Sequence, residues 1–261
     1  MLTLIGDILN WAAAGIVFPL MLLPLAGLAG RRSVLAGSAI WLALVVGVGG
    51  GGLAFTVLAP RMAPGEFLEK LPIFGALIIA LAATIFAAGG PREATRRLAG
   101  VAGPLTRGAG RLVMWLVLAM ALVQFAVVIL RYVFGLNFIF MQEGVTYMHG
   151  AVFLLAAGYA LLTDDHVRVD IFYRGASPRK KALIDFIGTY VLLFPICLLI
   201  LWTGAGYVGN SWAVGEGSAE QSGIQGVFLL KSLIPAFAML LAMAGFVMAA
   251  RAGALLRGEA P

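Results

Sequence analysis

Residues 112–130 read LVMWLVLAMALVQFAVVIL, an uncharged run bracketed by Arg111 and Arg131. Wound as an α-helix at 1.5 Å per residue, such a run is about 28 Å long, close to the ~30 Å hydrocarbon core of a bilayer. It is continuously apolar, where a membrane strand would alternate. A helix also satisfies its own backbone N–H and C=O groups, which lipid cannot do. Working outward, runs of the same character occupy residues 2–28, 34–59 and 71–88 before it and 138–162, 182–207 and 227–250 after it. With residues 111–134 as the fourth, the sequence predicts an all-α polytopic membrane protein of about seven transmembrane helices. Composition agrees: 62% of the 261 residues are hydrophobic and 11% charged, where a soluble domain is nearer about 25% charged.

Charge is confined to the connections. With seven spans, one side of the membrane collects Arg31, Arg32, Arg92, Arg96, Arg97, Arg107, Arg111, Arg168, Arg174, Arg179, Lys180, Lys181, Arg251 and Arg257, which is 14 of the 18 basic residues. The other side holds Arg61, Lys70, Arg131 and Lys231. Cytoplasmic loops accumulate Lys and Arg, so the C-terminus is expected in the cytoplasm and the N-terminus outside. The same rule accounts for the net charge of +6. No aromatic-basic surface stands outside the apolar runs, so the bilayer is the expected partner and nucleic acid is not. The first apolar run lacks a basic lead-in and an A-x-A-like site, and reads as a retained helix. Residues 91–110, rich in Gly, Pro and Arg, read as a basic cytoplasmic linker between a three-helix part (1–90) and a four-helix part (111–261). No internal repeat supports an inverted-repeat transporter. An ion crossing hydrocarbon must be solvated by polar groups along its path. Almost nothing ionisable lies near the middle of any run, so the chain reads as a scaffold within a larger machine.

Few features offer chemistry. The run Gly47 to Gly52 (GVGGGG) lies mid-span without phosphate-loop flanks, and Gly47 and Gly51 stand at GxxxG spacing, which suits helix–helix contact. Pro195 and Pro235 fall inside the sixth and seventh spans and are expected to kink them. His149 is the one titratable group deep in a span. Haem ligation would need a second axial group at matching depth, and His166 sits in a loop, so no cofactor is expected. The plainer reading is a neutral, hydrogen-bonded imidazole facing another helix or subunit, with Gln124 in a similar role. Glu143 near one end of the fifth span and Arg131 near the end of the fourth are placed to form an interfacial ion pair. Asp164 to Ile171 alternates polar and apolar, setting His166, Arg168 and Asp170 on one face and Val167, Val169 and Ile171 on the other. Ser177 and Pro178 make a cap for the sixth span, with Lys181 and Asp185 at i,i+4. The stretch 209–226, with Glu216, Glu220 and several glycines, reads as a flexible, wet loop. Cys197 is the single cysteine, which excludes an intrachain disulfide, a thiolate metal cluster and a CxxC site. No HExxH, GxSxG or nucleophile–base arrangement points to an enzyme or a metal centre.

Several of these stretches together resemble a known family. Gln142-Glu143, Tyr147-Met148-His149-Gly150, Gly158-Tyr159 and the run His166 to Tyr173 are similar to the small membrane (permease) subunit of tripartite ATP-independent periplasmic (TRAP) transporters. So are Arg131-Tyr132-Val133-Phe134, Ser177-Pro178-Arg179, Ser211-Trp212, Gly215-Glu216-Gly217-Ser218 and Leu230-Lys231-Ser232-Leu233-Ile234-Pro235. The likeness covers about residues 111–250 and is nearest the branch labelled mannitol/chloroaromatic. The family's small subunit usually has four spans, so residues 1–110 depart from it. The resemblance implies a large membrane subunit that moves organic acids by a sodium-coupled elevator motion, and a periplasmic substrate-binding protein that docks transiently. It implies a non-catalytic bracing role for this chain in a bacterial inner membrane. It makes Arg131, Gln142, Glu143 and His149 candidates for shape or subunit contact. His166, Arg168 and Asp170 become candidates for a cytoplasmic contact with the partner or lipid head groups. A free-standing secondary transporter and a membrane anchor of a redox enzyme, with His149 as ligand, are the alternatives.

Overall fold

The structure, a computed structural model, describes residues 5, 8, 16–29, 33–58, 64–167, 171 and 173–259, with the backbone alone for 29, 49–58 and 64–74. The described residues are helical apart from turns and short connections. In chain order the helices are α1 (Phe18–Met21), α2 (Leu23–Ala29), α3 (Val34–Leu58), α4 (Pro64–Ala87), α5 (Pro91–Val133), α6 (Ile139–Thr163), α7 (Pro178–Gly188), α8 (Phe194–Val214) and α9 (Val227–Arg257), with a π-helical turn at Thr189–Leu193 joining α7 to α8. Among the described residues, four stretches are long and apolar enough to cross a membrane: Pro91–Val133, Ile139–Thr163, Pro178–Val214 and Val227–Arg257. Shorter apolar helical stretches occupy Phe18–Leu28, Val34–Val48 and Gly75–Ala87.

Residues 91–110 are helical and run without a break into the fourth predicted span, so α5 is 43 residues long. Alanine, arginine and leucine at the helix-favouring positions outweigh the glycines and Pro104 within it. Ser177 caps α7 as expected, its hydroxyl accepting the Lys180 N–H at 3.4 Å with Pro178 at the first helical position. Pro195 stands in the first turn of α8, two residues past the π turn. A proline inside a helix removes one N–H and its ring presses on the carbonyl four residues back; one extra residue in the preceding turn relieves both.

The chain divides into two compact units. The first takes in residues 102–168 and 193–245. Here α6 lies against α5 and α9 through glycines. A Cβ at Gly158 would stand 2.7 Å from the Leu240 carbonyl oxygen, and one at Gly110 would overlap the Tyr159 ring. Such backbone-close contacts are how helices associate in lipid, where no hydrophobic driving force acts between them.

The second unit takes in residues 11–101, 169–192 and 246–261. Pro24 cannot donate, and the first helix breaks between Met21 and Leu23. Two side chains serve the opened backbone. Trp41 donates its indole N–H to the Pro19 carbonyl at 2.9 Å. The Tyr190 hydroxyl donates to the Met21 carbonyl at 2.7 Å and accepts the Leu25 N–H at 3.1 Å. Those two backbone groups are an i→i−4 pair, so the hydroxyl is inserted into a helical hydrogen bond. Around it Leu25 and Leu28 pack on Ala182, Phe186, Ala249 and Ala252. Arg92 donates to the Gly27 carbonyl at 3.0 Å. The N-terminal part therefore packs on α7 and α9. Gly47, expected at a helix contact, faces open space, with nothing within 4 Å of a built Cβ.

Candidate functional site

The start of α6 and the connection from α8 to α9 are tied together by one carboxylate. Phe138, in extended conformation, precedes α6, and Gln142 in its first turn donates to the Asn137 side-chain oxygen. Glu143 follows. One of its oxygens accepts the Ile224 backbone N–H at 2.6 Å, and the other accepts the Ser218 hydroxyl. Ser218 in turn accepts the Glu220 N–H at 3.0 Å. Loop backbone donors have no ladder to join, so a carboxylate supplied from a helix gives them partners. Gly223 makes room for this: a Cβ there would lie 2.6 Å from the Glu143 carboxylate.

A second clamp closes the same loop at its base. Glu216 pairs with Lys231, whose ammonium also lies 3.9 Å from the centroid of the Tyr207 ring. The Trp212 indole donates to the Ser232 hydroxyl at 2.8 Å, and its ring meets Phe228 edge-on at 4.7 Å. The Lys231 ammonium holds the Glu216 carboxyl below the usual carboxylate range. A group with a lowered folded-state pKa stabilises above its unfolded value, so this clamp holds at neutral pH and loosens as pH falls through the lowered pKa. The loop expected to be flexible and wet is wet at its tip, where residues 219–222 are exposed, but is anchored at both ends.

The expected Arg131–Glu143 pair is not formed: both Glu143 oxygens are turned to the loop and Arg131 is exposed. A carboxylate accepting a backbone N–H in a partly buried site gains more than it would from a solvent-exposed arginine. His149 is exposed on α6, and Gln124 is exposed on α5. His166 is half-buried, just past α6, which ends at Asp164 in left-handed conformation. Arg168 and Asp170 lie outside the described residues. Tyr173, Asp185 and Lys181 meet instead of a simple Lys181–Asp185 pair: the Tyr173 hydroxyl donates to Asp185 at 2.8 Å and Lys181 lies 5.1 Å over the ring. Among the described residues no group of three or more His, Cys, Asp or Glu could hold a metal ion.

Both clamps are built from stretches singled out in the sequence, and they converge in space: Glu143 on Ser218, Glu216 on Lys231, Trp212 on Ser232. Residues 120–257 match the sequence model of the DctQ component of tripartite ATP-independent periplasmic transporters. The chain belongs to that family. The match covers just over half of the chain and contains every member of the two clamps. No curated protein and no solved structure matched the chain. As a DctQ component it is the small permease subunit of a TRAP transporter, a transporter part and not an enzyme family. Its family and its four candidate spans make it a multi-pass inner-membrane protein. DctQ membership implies association with a large membrane subunit and a binding protein. Ser218 and Ile224 are the site residues that sequence reasoning did not place, because their partner lies 75 and 81 positions away.

Proposed function

We propose that this chain is the stationary, non-catalytic member of a sodium-coupled carrier of organic acids. It braces the large elevator-type subunit, and the anchored α8–α9 loop helps to dock the substrate-binding protein. The observation that carries this reading is the character of the buried polar groups. Among the described residues they are Thr95, Thr106, Thr189 and Ser211, none of them ionisable. Three of these hydroxyls, Thr95, Thr106 and Thr189, are spent on carbonyls of their own helices. Sodium and a carboxylate would find no buried charge here to replace their water, so both would cross through the partner. The seven-span count, with the N-terminus outside, belongs to the same proposal. α3 and α4, at 25 and 24 residues, are long enough to span, and the 14-to-4 division of basic residues favours an odd number. The loop clamped by Glu143 and Glu216 then faces the periplasm, where a soluble binding protein can reach it.

The test is reconstitution. Purified alone into liposomes with a sodium gradient and a radiolabelled organic acid, the chain is expected to give no uptake. Uptake is expected when the large subunit and binding protein are added, and the large subunit is expected to co-purify with the tagged chain. Uptake by the chain alone removes the proposal.

A further inference from the structure

In lipid the exposed apolar side chains of α5 and α6 need no cover, since acyl chains satisfy them. The polar residues are different. On α6, Gln142, Thr146, His149 and Phe153 recur at helical spacing along one stripe. Thr146, His149 and Phe153 are exposed, Phe153 at 72%. Gln142 meets only Asn137 of the preceding connection, and the contacts with other helices and the α8–α9 loop fall off the stripe: Glu143 to the loop, Gly150 close to Leu230, and Gly158 against Leu240 and Thr106. The helix thus turns its packed side inward and its polar stripe outward.

Depth sharpens the anomaly. His149 lies ten residues into α6, roughly 15 Å from its start, near the middle of a ~30 Å hydrocarbon core. Gln124 lies nine residues before the end of α5, roughly 14 Å from the connection the two helices share. The two polar side chains of this hairpin therefore stand at one level. Among the described residues, neither is hydrogen-bonded to any group of the chain. Acyl chains offer no donor or acceptor, so a polar side chain at this depth marks a contact with protein.

We infer that the Gln142–Thr146–His149–Phe153 stripe of α6, with Gln124 at the same depth, is the surface on which the large membrane subunit seats a helix bearing hydrogen-bonding side chains at mid-membrane. The inference rests on the proposed association with that subunit and says where it occurs. The occupant is the large subunit because the stripe lies wholly within residues 120–257. A partner implied by membership of the family must meet the part of the chain that the family shares. Chemical complementarity selects a protein: an imidazole and a primary amide both offer and accept hydrogen bonds, which a lipid face leaves unmet.

The experiment replaces the exposed Phe153 with the photoreactive p-benzoylphenylalanine in the chain co-expressed with its large subunit and binding protein. Irradiation of membranes is expected to give an adduct of this chain with the large subunit. In the same background His149→Leu is expected to lower recovery of the large subunit roughly three- to tenfold, the size of one interhelical hydrogen bond in lipid, with His149→Gln retaining most of it. Adducts only with lipid or with a second copy of the chain, while the wild-type chain still brings down the large subunit, overturn the inference and leave the proposed association standing. Failure of the wild-type chain to bring down the large subunit would sink both.

Discussion

At the scale of single residues, Glu143 decides more than its position suggests. Its two oxygens are the acceptors for the Ile224 N–H and the Ser218 hydroxyl, so it joins the start of α6 to a loop that has no regular structure of its own. Glu143→Gln keeps the volume and removes one of the two acceptors. The amide's NH2 then opposes a donor, leaving that donor unmet at a cost of about 1–3 kcal/mol. Amide exchange at Gly223 and Ile224 is expected to quicken about tenfold or more, while exchange in the middle of α6 stays unchanged. Hydrogen exchange by mass spectrometry checks this; loop protection equal to that of the wild type would show that the carboxylate is not the anchor. Glu216 contributes differently. Its pairing with Lys231 weakens on acidification, as the carboxylate takes up a proton below its lowered pKa.

At the scale of elements, the distinctive construction is a broken helix repaired by side chains. The gap between α1 and α2 frees carbonyls, and Tyr190 reaches them from the π turn that Pro195 accompanies. Tyr190→Phe keeps the ring against Phe186 (centroids 4.9 Å apart) and deletes the hydroxyl. Either Leu25 and Met21 close their own i→i−4 bond and the helix straightens, or both stay unsatisfied. The expected cost is about 1–3 kcal/mol, read as a lower melting temperature of the detergent-purified chain, and an unchanged melting temperature would mean that the backbone bond closes freely. The elements themselves were largely legible in the sequence, because apolar runs of membrane length and the Ser177-Pro178 cap are local signals. Helicity of residues 91–110 was not, since Gly, Pro and Arg in a row look like a connection until the flanking spans are seen to continue through them. The loop anchors were half legible: Glu143, Glu216 and Lys231 were visible as charges near span ends, but pairing across long sequence separations leaves no local pattern. The outward turn of His149 was invisible for the same reason, because periodicity shows that a helix has faces and not which of them its own chain covers.

At the scale of the whole molecule, the side on which each end lies separates seven spans from six. The family match begins at residue 120, and residues before it carry their own apolar helices. If residues 2–28, 34–59 and 71–88 each cross, the N-terminus and C-terminus stand on opposite sides, and Arg31 and Arg32 join the cytoplasmic set. If one of them lies along the surface, both ends share a side. Substituted-cysteine labelling resolves this with little background, because the single native Cys197 is fully buried. A membrane-impermeant maleimide added to intact spheroplasts is expected to label Thr3→Cys and Ser222→Cys. Ala176→Cys and Gly258→Cys are expected to label only after the membrane is opened. Thr3→Cys behaving like Gly258→Cys would make the count even and remove the three-span extension. Ser222→Cys labelling only after opening would put the α8–α9 loop in the cytoplasm, where no periplasmic binding protein could meet the two clamps built around it.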